Sequence, residues 1–414
     1  MLMLSLRSAC LHYIRNYLKI NKKSNKFDES LVIETNKTNF TENMKYLRKG
    51  TYMTPRKRVE AILYGDQQDK VPFTIYECMV PQGDLGQQLR DEGMCIVDRG
   101  HPVVHTRTPN VTSQSKTYTE EGITYSRTDI HTPDGDLYSI SRPMGITSWN
   151  VVKLFKAPED YKPLLFMIQD EDYEPCYESF AKADAELGEG VILRSSVGLT
   201  PLHQIMISWM GVETFAIEWA DRRDEILKLY DALVDQRRKL YPLVAKSPVS
   251  HLNYGGNETG HVMGRERFEK YVIPCYNEAA EIMHKHGKLI GAHLDGNNKV
   301  WADLVADSGL DYVEAFTPAP DCDMTLKEAM EAWRDKVLWI NFTSSVHIRS
   351  DEEVEIETLK LLKESAPGDR LIIGITEDIP VNRWQGSLTA ISRTINKHGH
   401  LPITPSFRTS SPHP

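Results

Sequence analysis

Phe268-Glu-Lys-Tyr-Val-Ile-Pro-Cys-Tyr-Asn-Glu-Ala-Ala-Glu-Ile-Met-His-Lys-His-Gly-Lys-Leu-Ile-Gly-Ala-His293 decides the fold. Its first part belongs to a helical pattern running from Arg265 to His286, after which comes Gly287. His284 and His286 sit at the end of that helix, where a cation complements the free carbonyls. Leu289-Ile-Gly-Ala-His293 then reads as a short buried strand ending on a polar side chain. The same alternation extends in both directions. Val71–Glu77, Val191–Ser195, His251–Tyr254, Asp311–Phe316, Val337–Asn341 and Leu371–Thr376 have the composition of further strands. Glu213–Tyr241 (two helices meeting near Asp221, stopped by Pro242), Val300–Ser308, Thr325–Trp333, Glu352–Glu364 and Pro380–Lys397 have helical periodicity. Such repeated units imply a parallel sheet, and about eight of them favour an α/β fold of the closed, distorted TIM (β/α)8 type. Between Lys116 and Arg142 the residues alternate polar with apolar around Glu121-Gly122 and Pro133-Asp134-Gly135-Asp136, predicting a β-hairpin insertion on the barrel.

The barrel is expected over residues 53–403, opened by Thr54-Pro55 as N-cap and first helical residue. Residues 1–52 read as a basic, disordered extension, either a targeting segment or an over-extended start, and 404–414 as a disordered tail. With 40% hydrophobic and 26% charged residues in 414, the chain has the composition of a globular protein with a large core. A net charge of -9 supplies no basic field for a nucleic-acid backbone. The six cysteines are scattered without a CxxC pair, which points to free thiols in a reducing compartment and a cytoplasmic location. No apolar run approaches the roughly 20 residues of a membrane span.

Catalytic groups of such a barrel belong at the C-terminal ends of its strands. The polar residues there are Glu77, Arg194-Ser195, Asn253 to Glu258, His293-Leu-Asp295, Glu314, Asn341 and Thr376-Glu-Asp378. His293 and Asp295, two apart, project to one face. With Glu314 and Glu377 from other strand ends they make a reasonable set of ligands for zinc or a harder divalent metal. The alternative for each is structural. Asp295 precedes Gly296-Asn297-Asn298 and can cap the next helix, and Thr376 or Asp378 can cap the one from Pro380, leaving Glu377 exposed. Asn253-Tyr-Gly-Gly-Asn-Glu258 lacks the glycine order of a phosphate loop and reads as a substrate-lining loop.

Thr54-Pro-Arg-Lys-Arg-Val-Glu-Ala-Ile-Leu63, Asp69-Lys-Val-Pro-Phe73, the segment Phe268–His293 and Gly374-Ile-Thr-Glu-Asp-Ile-Pro380 together resemble the uroporphyrinogen decarboxylase (URO-D) superfamily, and most of all its methyltransferase-like branch. That branch resembles the barrel of cobalamin-independent methionine synthase and implies a distorted TIM barrel. True decarboxylases of the family carry an arginine-rich segment after the first strand. Here it is Tyr76-Glu-Cys-Met-Val-Pro-Gln82, and Glu77 would repel a substrate bearing eight carboxylates. The methyltransferase pattern places a His-x-Cys pair and a later Cys on zinc. His293 matches the histidine, Asp295 replaces the first cysteine, Glu314 falls at an intermediate glutamate, and Glu377 lies near the last cysteine. The resemblance thus implies an enzyme moving a methyl group from a small O- or N-methyl donor to a corrinoid carried by a partner protein, with a metal on His293, Asp295, Glu314 and Glu377. Glu77 and Tyr76 would be catalytic, and Asn253, Tyr254 and Asn341 would bind substrate. The rivals are a porphyrinogen carboxy-lyase and a metal-free barrel that only binds a ligand.

Overall fold

The computed structural model describes residues 53–145 and 147–404, so the predicted extension 1–52 and all but Thr404 of the predicted tail lie outside the described residues. The chain divides into Met1–Thr54 and Pro55–Pro414; of the first unit only Met53 and Thr54 are described, in no regular structure. The second begins at Pro55 with helix α1 (Pro55–Tyr64), whose proline is tolerated in the first turn because its missing N–H has no helical partner there.

Among the described residues the strands, in chain order, are β1 (Phe73–Tyr76), β2 (Cys95–Asp98), β3 (Val104–Arg107), β4 (Thr112–Glu120), β5 (Ile123–Thr132), β6 (Gly135–Met144), β7 (Thr147–Val152), β8 (Asp172–Pro175), β9 (Val191–Leu193), β10 (Ser195–Ser196), β11 (His251–Asn253), β12 (Leu289–His293), β13 (Tyr312–Phe316), β14 (Val337–Asn341) and β15 (Leu371–Ile375). Nine of them form one parallel sheet in the order β10-β11-β12-β13-β14-β15-β1-β2-β9. Its two ends, β9 and β10, are separated in sequence by Arg194 alone, so they are halves of one strand and the sheet closes into the (β/α)8 barrel. At this seam the chain changes partner: the Arg194 N–H donates to the Asp98 carbonyl of β2 at 3.0 Å, and Val197 N–H to the Asn253 carbonyl of β11 at 3.1 Å.

Helices cover the outside. Among them are α2 (Asp84–Asp91), α3 (Tyr161–Gln169), α4 (Tyr177–Leu187), α5 (Val212–Asp221), α6 (Arg223–Ala245), α7 (Ile273–His284), α8 (Leu326–Ala332), α9 (Asp351–Glu364) and α10 (Trp384–His398). Thr325 and Ser350 start α8 and α9 with capping boxes to Glu328 and Glu353, as these sequence pairs require. α6 runs through Pro242 to Ala245 instead of stopping there. Tyr241, Val244 and Ala245 of that last turn are buried, and their packing offsets the lost hydrogen bond. Strand β2 escapes the sequence reading because Cys-Ile-Val-Asp is too short to show a period.

The predicted hairpin is larger than the sequence suggests. β4–β7 form a four-stranded antiparallel meander spanning 112–152, joined first by Glu121-Gly122, both at positive φ as a tight hairpin turn demands. It is inserted between β3 and β8, which pair with each other, and β6 packs on α3, with Gly135 close to Pro163.

Inside the barrel the strands stack side chains in layers. Tyr312 crosses the bare backbone of Gly291 to bring its hydroxyl within 2.7 Å of Leu252 O and 2.8 Å of Asn253 Oδ1, the two acceptors that share its one hydrogen. Trp339 crosses Gly374 in the same way, its Nε1–H meeting Thr74 Oγ1 at 2.9 Å. His251 completes the cluster, its ring 6.1 Å from each of these two, which are themselves 6.1 Å apart. One inward position further along the strands come Tyr76, Asn253, His293, Glu314 and Asn341, a polar layer resting on this aromatic floor.

Candidate active site

Glu314 is the centre of the polar layer and has no solvent exposure. Arg194 Nη1 stands 2.7 Å from Oε1, an ionic contact rather than an aligned hydrogen bond. Tyr76 donates its hydroxyl to the same oxygen. Oε2 accepts from His293 Nδ1 at 2.6 Å and from Asn253 Nδ2 at 3.1 Å. Arg194 Nη2 also donates to the Tyr76 hydroxyl at 3.3 Å. The aim of Glu314 comes from a bulge: the β13–β14 register slips between Glu314 and Phe316, and Ala315 takes φ +57°. A buried alanine in the left-handed region costs about 1–3 kcal/mol, a strain that collects at functional sites.

The charges decide one another. Burial alone would raise the Glu314 pKa, but Arg194 and then His293 hold its carboxyl well below the carboxylate range. Burial works against the His293 cation, yet Glu314 first, with Asp295, raises its pKa from 6.5 to about 9. The ring is therefore an imidazolium at neutral pH. Its Nδ1 is spent on Glu314, while Nε2 stands 3.7 Å from Asp295 Oδ2, beyond a hydrogen bond. Arg194, His293 and Glu314 together carry a net charge of +1, and only the partly exposed Asp295 at the edge balances it.

Tyr76 and Glu77 both stand at the mouth. Burial pushes the Tyr76 phenol up, so it remains a neutral donor. Glu77 is not the bare carboxylate foreseen from the sequence. Arg99 pairs with it through two contacts of 3.1 Å and lies 3.6 Å from the centre of the Tyr76 ring. Asn253 is committed on both sides of its amide to Glu314 and Tyr312, which makes it a positioning group. Tyr254, the next residue, faces the other way: it is fully buried, its hydroxyl 2.8 Å from that of Tyr241. Asn341 ties β14 to the end of β15 by accepting from Thr376 N at 3.0 Å. In this structure the side chains of all three residues, predicted to bind substrate, are engaged within the protein.

The predicted metal set also needs correction. His293, Asp295 and Glu314 do come together, but a metal on Glu314 would have to displace the Arg194 guanidinium and meet its positive charge at short range. Glu377 is exposed and accepts from Ser344 Oγ. Among the described residues no group of three or more His, Cys, Asp and Glu side chains is arranged to hold a metal ion. The residues present do not fit the implied zinc. A residue left out of the predicted site, Arg194, takes its place as the fixed cation. Its signal was a lone charge inside the apolar run Val191-Ile-Leu-Arg-Ser195, matched by the lone acid in Tyr312-Val-Glu-Ala-Phe316.

No family model matches the sequence, and no curated protein matches it. Among solved structures the fold is similar to an endo-beta-1,4-mannanase from Thermotoga petrophila, with 11% identity over 80% of this chain and 77% of that one and a TM-score of 0.35. A tandem-module pneumococcal exo-beta-D-N-acetylglucosaminidase, StrH, shows 10% identity over 79% of this chain and 85% of that one, with a TM-score of 0.31. Dispersin B shows 11% over 53% and 76%, with a TM-score of 0.30. Nothing about activity follows from likeness at this level. No helix among the described residues is long and apolar enough to cross a membrane.

Proposed function

We propose that the barrel is an enzyme that takes a methyl group from a small O- or N-methyl donor, with His293 as the general acid for the departing oxygen or nitrogen. One observation carries this reading: a histidine whose inner nitrogen is anchored on the Glu314–Arg194 ion pair and whose outer nitrogen, on a partly exposed side chain, is left without a hydrogen bond to the protein. A methyl ether is a poor substrate for displacement because its leaving group is an alkoxide. Protonation of that oxygen as the carbon–oxygen bond breaks removes the difficulty. The carbon–oxygen pair stays with oxygen, the Nε2 proton follows it, and the product is an alcohol with neutral His293. A corrinoid carried by a partner protein would supply the electron pair that receives the methyl group. The role a metal would have as Lewis acid falls to the protein's own acid.

The decarboxylase reading has Arg99 and Arg194 nearer the mouth than the sequence suggested. Both guanidinium groups are already paired, with Glu77 and Glu314, so neither is open to substrate carboxylates. The test is purified protein with a reduced corrinoid acceptor and a panel of methyl ethers and methylamines, followed by corrinoid absorbance. Methylation by wild type and loss of at least tenfold in His293→Gln is expected. Carbon dioxide release from uroporphyrinogen without methyl transfer would replace this function with the lyase.

A further inference from the structure

A polar groove on the outside of the barrel takes no part in the chemistry described above. Helix α10 packs on α9, and α2 packs on α10. Between them lies an open cavity of about 230 Å³, whose polar lining comes from Gln88 of α2, Asp351 and Glu355 of α9, and Gln385, Thr389 and Arg393 of α10. Asp351 and Glu355 are one helical turn apart, as are Gln385, Thr389 and Arg393 in succession, so each set is a single stripe of its helix. Gly386 lets the two helices meet at the end of the groove, since a Cβ there would run into the Asp351 carboxylate.

Some of these groups are already used. Asp351 Oδ1 accepts from Arg383 Nη2 at 2.7 Å, so its charge is balanced by a residue outside the lining. Gln88 donates through Nε2 to Glu92 Oε1 at 2.8 Å and keeps its carbonyl oxygen. Glu355 and Arg393 differ. They line the same cavity with opposite charges but do not meet in an ion pair, and among the described residues neither has another ionic partner. A threonine inside a helix can return its hydroxyl to the carbonyl one turn back, yet Thr389 Oγ1 is buried with no hydrogen bond at all.

The balance of open groups selects the ligand. No aromatic or long aliphatic side chain lines the cavity, so an apolar molecule has nothing to bury against. A simple anion would meet Glu355 and a metal cation would meet Arg393, each setting like charges together. A ligand with one charge of each sign satisfies both walls. We propose that this groove binds a small zwitterion of the α-amino acid class, with its carboxylate on Arg393 and the Thr389 hydroxyl and its ammonium on Glu355 and the Gln88 carbonyl oxygen. The Gln385 amide is left for a polar side chain. Glu355 and Arg393 are solvent-exposed, so the contacts are screened and the affinity is modest. The site does not depend on the reaction assigned to the barrel.

Titration of L-glutamine into the full chain, without corrinoid or methyl donor, tests the site by ligand-observed NMR. A Kd of about 1 mM that weakens with added salt is expected. N-acetyl-L-glutamine lacks the ammonium and L-glutaminamide lacks the carboxylate, and each should bind about fivefold more weakly. The variants should cross with the probes. Arg393→Gln should remove the preference for L-glutamine over L-glutaminamide, and Glu355→Gln the preference over N-acetyl-L-glutamine; both positions are exposed, so neither change endangers folding. Thr389→Val should weaken L-glutamine and N-acetyl-L-glutamine alike. No binding of L-glutamine or glycine up to about 20 mM, equal binding of the capped probes, or a wild-type pattern in both charge variants would overturn the site. Tighter binding of N-acetyl-L-glutamine than of L-glutamine would overturn the zwitterion in favour of a plain anion.

Discussion

Glu314→Gln tests the charge logic of the site most directly. The substitution keeps the shape and an oxygen for the Tyr76 hydroxyl but removes the charge that holds His293 protonated. The rise of the His293 pKa from 6.5 to about 9 corresponds to about 3 kcal/mol in favour of the cation, at about 1.36 kcal/mol per pH unit. Without the Glu314 charge, burial and the unpaired Arg194 both act against the imidazolium, and only Asp295 supports it. Its pKa should fall to about 6.5 or lower. At pH 7.5 the cation fraction then drops from about 97% to about one tenth or less. Methyl transfer should fall about tenfold at that pH and recover partly toward pH 6. Leaving Arg194 buried without its partner also costs about 3–5 kcal/mol of stability, so folding is checked by circular dichroism before any rate is compared. The direct assay is a histidine-selective NMR titration of the full chain from pH 5 to 10, with His293→Gln assigning the resonance. A wild-type His293 that titrates at pH 7 or below, or a Glu314→Gln protein in which it still titrates above pH 8, would refute the reasoning.

Three further outcomes follow from the same geometry. A raised histidine pKa stabilises the fold fully below pH 6.5 and loses that contribution as pH rises through about 9, so the stability gap between wild type and His293→Gln should narrow by about 3 kcal/mol from pH 6 to 9.5 in urea unfolding. The lowered Glu314 pKa has the opposite sign: its contribution is present above pH 4.5 and is lost as pH falls below that, so Glu314→Gln should flatten the acid limb of the wild-type stability curve. Gly291→Ala would place a Cβ 2.2 Å from the Tyr312 ring. It should cost about 1–3 kcal/mol or more by denaturant midpoint, and an unchanged midpoint would show that Tyr312 has room to move.

The barrel was legible because its strands are buried on both faces and end on polar residues, a pattern that needs no partner to be seen. β12 and β14 have the predicted limits for that reason. His293 and Glu314 could be named from their strand ends. What they do could not, because it depends on Arg194, which stands far from both in sequence and meets them only when the sheet closes at its seam. Asn253 and Tyr254 show the same limit at finer scale. Adjacent residues on a strand point to opposite faces, so one enters the polar layer and the other packs against Tyr241 behind it. The start of the 112–152 meander was hidden by β4, whose almost wholly exposed residues carry little of the alternation that marks a half-buried strand.

Two irregularities of the barrel meet at this site, and each supplies what regular strands cannot. A continuous strand in place of β9 and β10 would keep one set of neighbours; the break at Arg194 lets that residue bond β2 through its backbone while its side chain reaches Glu314 on β13. A regular β13 would run from Glu314 to Phe316 without an extra residue; the strained Ala315 bulge changes the register just where the carboxylate must reach Tyr76, Asn253, Arg194 and His293 together. Strain and buried charge both work against folding, so their coincidence needs a return other than stability. The arrangement yields a histidine that is doubly protonated at neutral pH and fixed in orientation by its inner nitrogen. That is a property an acid catalyst requires, and one that Gln at 314 or Met at 194 would remove while leaving the barrel's aromatic floor untouched.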